Sequence, residues 1–274
     1  MLIDSHAHVN FNAFKNDSRQ VLDDCIKNDI WVINIGSQYT TSKRAVEMAQ
    51  NYQKGIYAAV GLHPIHLTDI KVDEQEVNFK TSAEEYDEKK YKELASQDKV
   101  VAIGETGLDY YHIEKDDEDT KNKQKEVFIQ LITLANKINL PIILHCRDAY
   151  DEMLEILESN QELLRNSGVI HCFGGSLKQA QQFIKLGFYI GITGIITFGK
   201  KAAALEEVVS VIDLEQILIE TDCPYLAPEP YRGKRNQPQY VEYVAKKIAE
   251  IKKISYNKVS QITSDNTIKL FKLS

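Results

Sequence analysis

Eight short runs rich in apolar and β-branched residues punctuate the chain, at 2–9, 31–36, 56–62, 100–104, 140–145, 168–173, 188–193 and 216–221. Several, such as "LPIILHC", are apolar without alternation, the pattern of a parallel strand covered on both faces. Between the runs the period changes. Val127, Leu131, Leu134, Ala135 and Ile138 recur at i, i+4, i+7, i+8 and i+11, one face of a helix. Val21, Leu22, Cys25 and Ile26 do the same after Ser18, a suitable N-cap. The closing stretch from Gln237 to Phe271 reads as two amphipathic helices. Strands alternating with helices predict an α/β fold, either a (β/α)8 barrel or a doubly wound sheet. The stretch His66–Gln97 is highly charged and about twice the usual loop length before its helix starts. It reads as a surface insertion plus the third helix. No repeat or linker interrupts the chain, so one domain over 1–274 is expected.

The ends of these runs carry the chemistry. His6 and His8 close the first, His145 closes the fifth and His171 lies near the end of the sixth, while Glu105 and Asp222 directly follow the fourth and the eighth. Four imidazoles and two carboxylates form a donor set suited to a pair of divalent cations. In a parallel barrel the C-terminal ends of all strands meet at one face. In an open sheet the outer strands would lie too far apart to share one centre, so the ligand positions favour the barrel (TIM barrel). His-x-His on a strand places both imidazoles on one face. Asp4 shares that face and is a candidate partner to fix a histidine tautomer. A carboxylate ending an apolar strand is costly to bury unless it is paired or metal-bound, and Glu105, with two oxygens, is assigned to bridge two cations. Asp222 suits both ligation and removal of a proton from an attacking water, with turn duty before Pro224 as the structural alternative.

Other residues near these ends read less sharply. His63 and His66 are either contacts to a substrate phosphate or water, or ordinary loop histidines. Arg147 is placed to meet a phosphate, and Asp148 to cap the following helix. Arg232, Lys234 and Arg235 form a basic loop beyond Asp222, either solvated or in contact with a phosphate backbone. Cys146, Cys172 and Cys223 each follow a candidate ligand, and alternation should turn them away from the metal face.

Composition narrows the class. The 274 residues carry 43% hydrophobic and 27% charged side chains, ordinary for a globular protein with a substantial core. A net charge of −7 argues against a protein coated by nucleic acid, but not against an enzyme that grips a few phosphates through metals. No apolar run approaches the roughly 20 residues of a membrane span, and "LIDSHAH" opens the chain without the basic and apolar regions of a secretory signal. A cytoplasmic monomer is expected.

The stretches "DSHAH", "GLHP", "GETGLDYY", "ILHCRDA", "HCFGG", "GITGIITF" and "ETDCPYLAP…YRGKRNQP" occur in this order over essentially the whole chain. On them the chain resembles the TatD-type DNase family of the metallo-dependent hydrolase superfamily. The resemblance implies a TIM barrel, a two-metal site, and metal-dependent hydrolysis of DNA phosphodiesters, often as a 3′→5′ exonuclease on single-stranded ends. It implies ligand roles for His6, His8, Glu105, His145, His171 and Asp222; from the count of six such side chains on one face, His6, His8 and Asp222 are expected on one ion and His145 and His171 on the other, with Glu105 between them. The donor set suits zinc, manganese or magnesium. One departure is that Gly199 separates "TF" from Lys200 and Lys201, where family members commonly have Lys directly. The alternative is a barrel metallohydrolase for another bond: a lactone, an amide, or the ester of a D-aminoacyl-tRNA. Many superfamily members bridge their metals with a carboxylated lysine from strand four; here that position offers Glu105, which favours phosphoester chemistry.

Overall fold

The computed structural model describes residues 1–69, 71–74, 77–80, 83–111 and 113–274. Eight parallel strands follow one another around a barrel: β1 (Leu2–Ala7), β2 (Ile30–Ile35), β3 (Ile56–Val60), β6 (Val100–Asp109), β7 (Ile142–Arg147), β8 (Gly168–Ile170), β9 (Phe188–Ile192) and β10 (Ile217–Ile219). A two-stranded antiparallel hairpin, β4 (Lys71–Glu74) with β5 (Val77–Lys80), stands apart from it. The barrel closes between its first and last strands. Ala7 bridges Cys223, the His8 amide donates to the Cys223 carbonyl at 2.8 Å, and the Asp222 amide donates to the His6 carbonyl at 2.9 Å. Closure therefore runs through the ligand-bearing segments themselves.

Two apolar cores follow from strand alternation. Ile3, Ile33, Ile35, Tyr57, Ala59, Ala102, Ile143, Val169 and Leu218 form one cluster inside the barrel, plugged at its base by Leu270, Phe271 and Leu273 of the C-terminal segment. The neighbouring positions, such as Leu2, Val32, Ala58, Ile103 and Leu144, join the larger core between the sheet and the helices. These helices are α1 (Ser18–Lys27), α2 (Tyr39–Gln50), α3 (Glu88–Ala95), α4 (Glu118–Ile138), α5 (Tyr150–Ser159), α6 (Leu177–Lys185), α7 (Ala203–Val211), α8 (Val241–Lys252) and α9 (Tyr256–Phe271). The expected face of α4 is the one it buries, with Ile138 only partly covered. In α1, Val21, Leu22 and Cys25 are buried but Ile26 is exposed. The two closing helices are α8 and α9.

The expected insertion at 66–97 comprises the hairpin and α3; its residues 70, 75, 76, 81 and 82 lie outside the described ones. Two cap expectations change. Asp17, not Ser18, is the N-cap of α1, and its side chain makes no cap because Arg235 holds it. Ala149, not Asp148, caps α5, since Asp148 takes a left-handed backbone with φ 57°. Among the described residues, no helix is long and apolar enough to cross a membrane.

Candidate metal centre

Two irregularities in strand pairing aim the site. Between Asp4 and Ala7, β1 spends three steps against two on β2; between Ile103 and Thr106, β6 does the same against β7. Such bulges re-aim side chains where a strand passes an active site. The second one presents Glu105 from the middle of β6, which runs on to Asp109, and not from its end as the apolar pattern suggests. The Glu105 amide donates across to the Gly36 carbonyl at 3.1 Å. Gly61 makes room: a Cβ there would come within 2.4 Å of the Gly104 carbonyl carbon and 2.6 Å of the Glu105 amide.

Around Glu105 the six expected ligands converge. Its Oε2 lies 3.4 Å from His6 Nε2 and 3.9 Å from His8 Nε2. Its Oε1 lies 3.0 Å from His145 Nδ1 and 3.7 Å from His171 Nε2. His6 Nε2 and His8 Nε2 are 3.2 Å apart, and Asp222 Oδ1 is 3.3 Å from His8 Nε2, 3.8 Å from His6 Nε2 and 3.6 Å from His171 Nε2. The His6 and His171 rings stack at 3.4 Å. Donor atoms around one cation at about 2.0–2.1 Å stand roughly 3.3 Å apart, so these spacings are those of ligands sharing ions. His6, His8 and Asp222 form one group able to hold a cation, and Glu105, His145 and His171 form another.

Protonation fits the same use. Burial opposes charge on His145, but the hydrogen bonds it donates to Asp109 and Glu105 overcome this and raise its pKa to about 9. For His171, burial is likewise outweighed by Glu220, Asp222 and Glu105, and the value rises to about 10. Burial would push the Glu105 and Asp222 carboxyls up. The imidazoles around them hold both below the usual carboxylate range, Glu105 far below it. Protons on the inward nitrogens of His145 and His171 thus balance buried carboxylates, a task cations would take over. Metal loading should therefore release about two protons near neutral pH, and apparent affinity should climb with pH until about 9 to 10. Calorimetry in buffers of different ionisation enthalpy counts those protons. The sign for stability follows: both values lie above 6.5, so these groups stabilise the metal-free fold fully below about 6.5 and lose that contribution as pH rises through about 9 to 10.

The outward nitrogens are fixed by residues that sequence reasoning missed. His145 Nε2 is 3.0 Å from Asp109 Oδ2, and His171 Nδ1 is 2.9 Å from Glu220 Oε1. His8 Nδ1 donates to the Ile35 carbonyl at 3.0 Å, whereas His6 Nδ1 is buried without a hydrogen-bond partner and His171 Nδ1 meets Glu220 as an ion pair without hydrogen-bond alignment. Partners of this kind set the tautomer and leave the inward lone pair for a metal. Glu220 is fully buried, accepting the Cys172 amide at 2.6 Å and the Ser5 hydroxyl at 3.3 Å. Gly191 leaves the space it fills, since a Cβ there would meet both carboxylate oxygens at 2.7 Å. Glu220→Gln keeps the volume but offers His171 Nδ1 an N–H. Metal affinity should fall by about 10–100-fold in chelator competition; unchanged affinity would reduce Glu220 to a space-filler.

Several expectations are corrected. Asp4 does not reach an imidazole: just before the bulge, its carboxylate accepts the Thr221 hydroxyl at 2.5 Å, the Thr221 amide at 2.9 Å and the His6 amide at 3.3 Å, pinning β1 to the segment after β10. Arg235 is engaged within the chain, bonded to both Asp17 oxygens at 2.9 and 2.6 Å and to the Ala13 carbonyl at 2.8 Å. His66 is buried behind His63, with rings 6.4 Å apart, and burial lowers its pKa to about 4. Cys172, with φ 45°, places Sγ within 4.8 Å of His171 and Asp222 ligand atoms instead of turning away, although burial keeps it a neutral thiol. Arg147 lies at the rim, its guanidinium 3.6 Å over the Tyr111 ring, and Arg232 lies 3.7 Å over Phe198. Lys234 is exposed beside Tyr231. Buried Asn236, also missed, ties this loop to the Asp222 turn through the Thr221 and Tyr225 carbonyls at 2.8 and 2.6 Å.

A parallel barrel gathering buried imidazoles and carboxylates at the C-terminal ends of its strands has the build of a metal-dependent hydrolase. Residues 3–272 match the family described as TatD related DNase, and the chain belongs to that family. It is 41% identical to the uncharacterized metal-dependent hydrolase YabD of Bacillus subtilis, with all of both chains covered. It is 33% identical to YcfH of Escherichia coli, another uncharacterized metal-dependent hydrolase, over 98% of this chain and 95% of that one. Among solved structures, the TatD homologue YjjV of Escherichia coli superposes with a TM-score of 0.84 at 29% identity, covering 100% of this chain and 98% of that one. A TatD-family hydrolase of Entamoeba histolytica gives 0.79 at 25% identity, with 98% and 97% covered.

Proposed function

We propose that this hydrolase is a divalent-metal-dependent deoxyribonuclease that shortens single-stranded DNA from its 3′ end. The observation that carries the reading is the division of Glu105, one oxygen toward His6 and His8, the other toward His145 and His171. The family's description as a DNase and the cationic rim side chains support DNA as substrate. Two cations, if held by His6, His8 and Asp222 and by His145 and His171 with Glu105 between, would supply an acidified water and neutralise charge on a phosphoryl group. Asp222, 14% exposed at its side chain and so open to the site mouth, takes the proton of the attacking water. Arg147 and Arg232 hold the phosphodiester backbone, and the lumen core below keeps the ring of ligands rigid.

The test incubates zinc-, manganese- and magnesium-loaded protein with single-stranded DNA labelled at either end, and in parallel with carboxylic esters, lactones and a D-aminoacyl-tRNA. Shortening from the 3′ end, lost on chelation and restored by metal, is the expected result. Hydrolysis of an ester or lactone with intact DNA would instead assign the centre to another bond.

A further inference from the structure

The site holds a fifth imidazole whose polarity is opposite to that of its neighbours. His63 follows β3 and is the N-cap of the 3-10 turn Pro64–Leu67, where its Nδ1 accepts the Ile65 amide at 3.1 Å. A ring nitrogen that accepts a hydrogen bond carries no proton, so the proton of His63 sits on Nε2. That nitrogen is the one facing the centre, 3.5 Å from Glu105 Oε1, with the ring 4.1 Å from that of His145. For His8, His145 and His171 the outward nitrogen faces a carbonyl or a carboxylate, so an N–H stays on that side and it is the inward atom that can offer a lone pair, on His145 and His171 once a cation has displaced its proton. His63 is reversed. One of its ring nitrogens comes close enough to Asp109 and His145 for the three to be counted as a possible cation group, yet Nδ1 is taken by the Ile65 amide and a protonated Nε2 has no lone pair to give.

We infer that His63 is a hydrogen-bond donor to the substrate and not a metal ligand, presenting Nε2–H to a phosphoryl oxygen beside Glu105. The choice of a phosphoryl oxygen rests on the function proposed above; the donor role rests on the Ile65 hydrogen bond alone. At 3.5 Å the Glu105 oxygen lies beyond normal hydrogen-bond reach, so the N–H is available to a bound oxyanion. The donor is also pre-set. Pro64 fixes the start of the turn, and the ring is 7% exposed, held by the bond to Ile65 before any substrate arrives. A donor already in position costs no reorganisation when charge develops on the oxygen it faces.

Two substitutions separate this role from ligation and from capping. His63→Asn keeps an acceptor for the Ile65 amide but loses the distal donor; His63→Gln keeps an N–H near the position of Nε2. Inorganic phosphate binding to the metal-loaded full chain, by calorimetry, should weaken about tenfold in His63→Asn and stay within about threefold of wild type in His63→Gln. Bound metal per chain should be the same in all three. Loss of bound metal in His63→Asn makes His63 a ligand and overturns the inference, as does unchanged phosphate affinity in that variant. Nitrogen-15 shifts of the wild-type imidazole decide independently of folding in the variants: a protonated Nε2 with bare Nδ1 supports the inference, and the reverse overturns it. A wild-type protein that leaves DNA intact while its phosphate binding still depends on His63 would sink the nuclease reading and uphold this one.

Discussion

Glu105→Gln is expected to lower turnover by on the order of 10³-fold, the scale of losing a preorganised charge-stabilising group. It should leave the thermal transition of the metal-free protein within about 4 °C of wild type. The carboxylate supplies one anionic oxygen to His6 and His8 and the other to His145 and His171; an amide supplies a single weak acceptor and a donor. Most of the stability resides elsewhere. Ile3, Ile33, Ile35, Ile143, Val169 and Leu218 fill the lumen beneath the site, and the outer core packs the helices. Kinetics and thermal melting on the same preparation check both halves. A variant that melts far below wild type while its folded fraction turns over at near wild-type rate would make Glu105 a structural residue.

The strands were legible because a buried parallel strand writes itself as an unbroken apolar run, and "PIILHC" or "GVIHC" end where the barrel's open face begins. Ligands at those ends were legible for the same reason. What alternation could not show is a bulge, since one inserted residue leaves the apolar pattern intact while it changes which side chain faces the site. On that account Asp4 was put on the face of His6 and His8, and Glu105 at the end of its strand. Glu220 carried a readable signal: a carboxylate directly after "ILI", with no basic neighbour, raises the same burial cost that singled out Glu105. Asp109 follows Glu105 by four positions on the same long strand, and only the pairing with β7 brings it to His145. Arg235 was not legible at all. Its partner Asp17 is 218 positions away, and the pair exists only because barrel closure brings the last loop against the first helix.

Asp222→Asn should cut kcat by about 10²–10⁴-fold, the range for removing a general base, with KM changing little. Arg147→Ala should act mainly on KM. The two residues differ in what they touch. Asp222 Oδ1 stands among the Nε2 atoms of His6, His8 and His171, at 3.8, 3.3 and 3.6 Å, inside the ring of ligands. Burial opposes its charge, but protonated His171 and the bond from His8 keep it ionised below the usual carboxylate range, so it holds an acceptor free for a proton at neutral pH. Arg147 stands two residues beyond His145, over Tyr111 at the rim, where in the proposed function its guanidinium would hold a phosphate without entering proton transfer. Because Asp222 also belongs to a cation group with His6 and His8, bound metal must be measured in the variant and matched to wild type before the rates are compared. With metal content matched, near wild-type kcat for Asp222→Asn across the pH range would mean that the proton leaves by another route. A loss of kcat in Arg147→Ala equal to that in Asp222→Asn would place the arginine in the chemistry and not in binding.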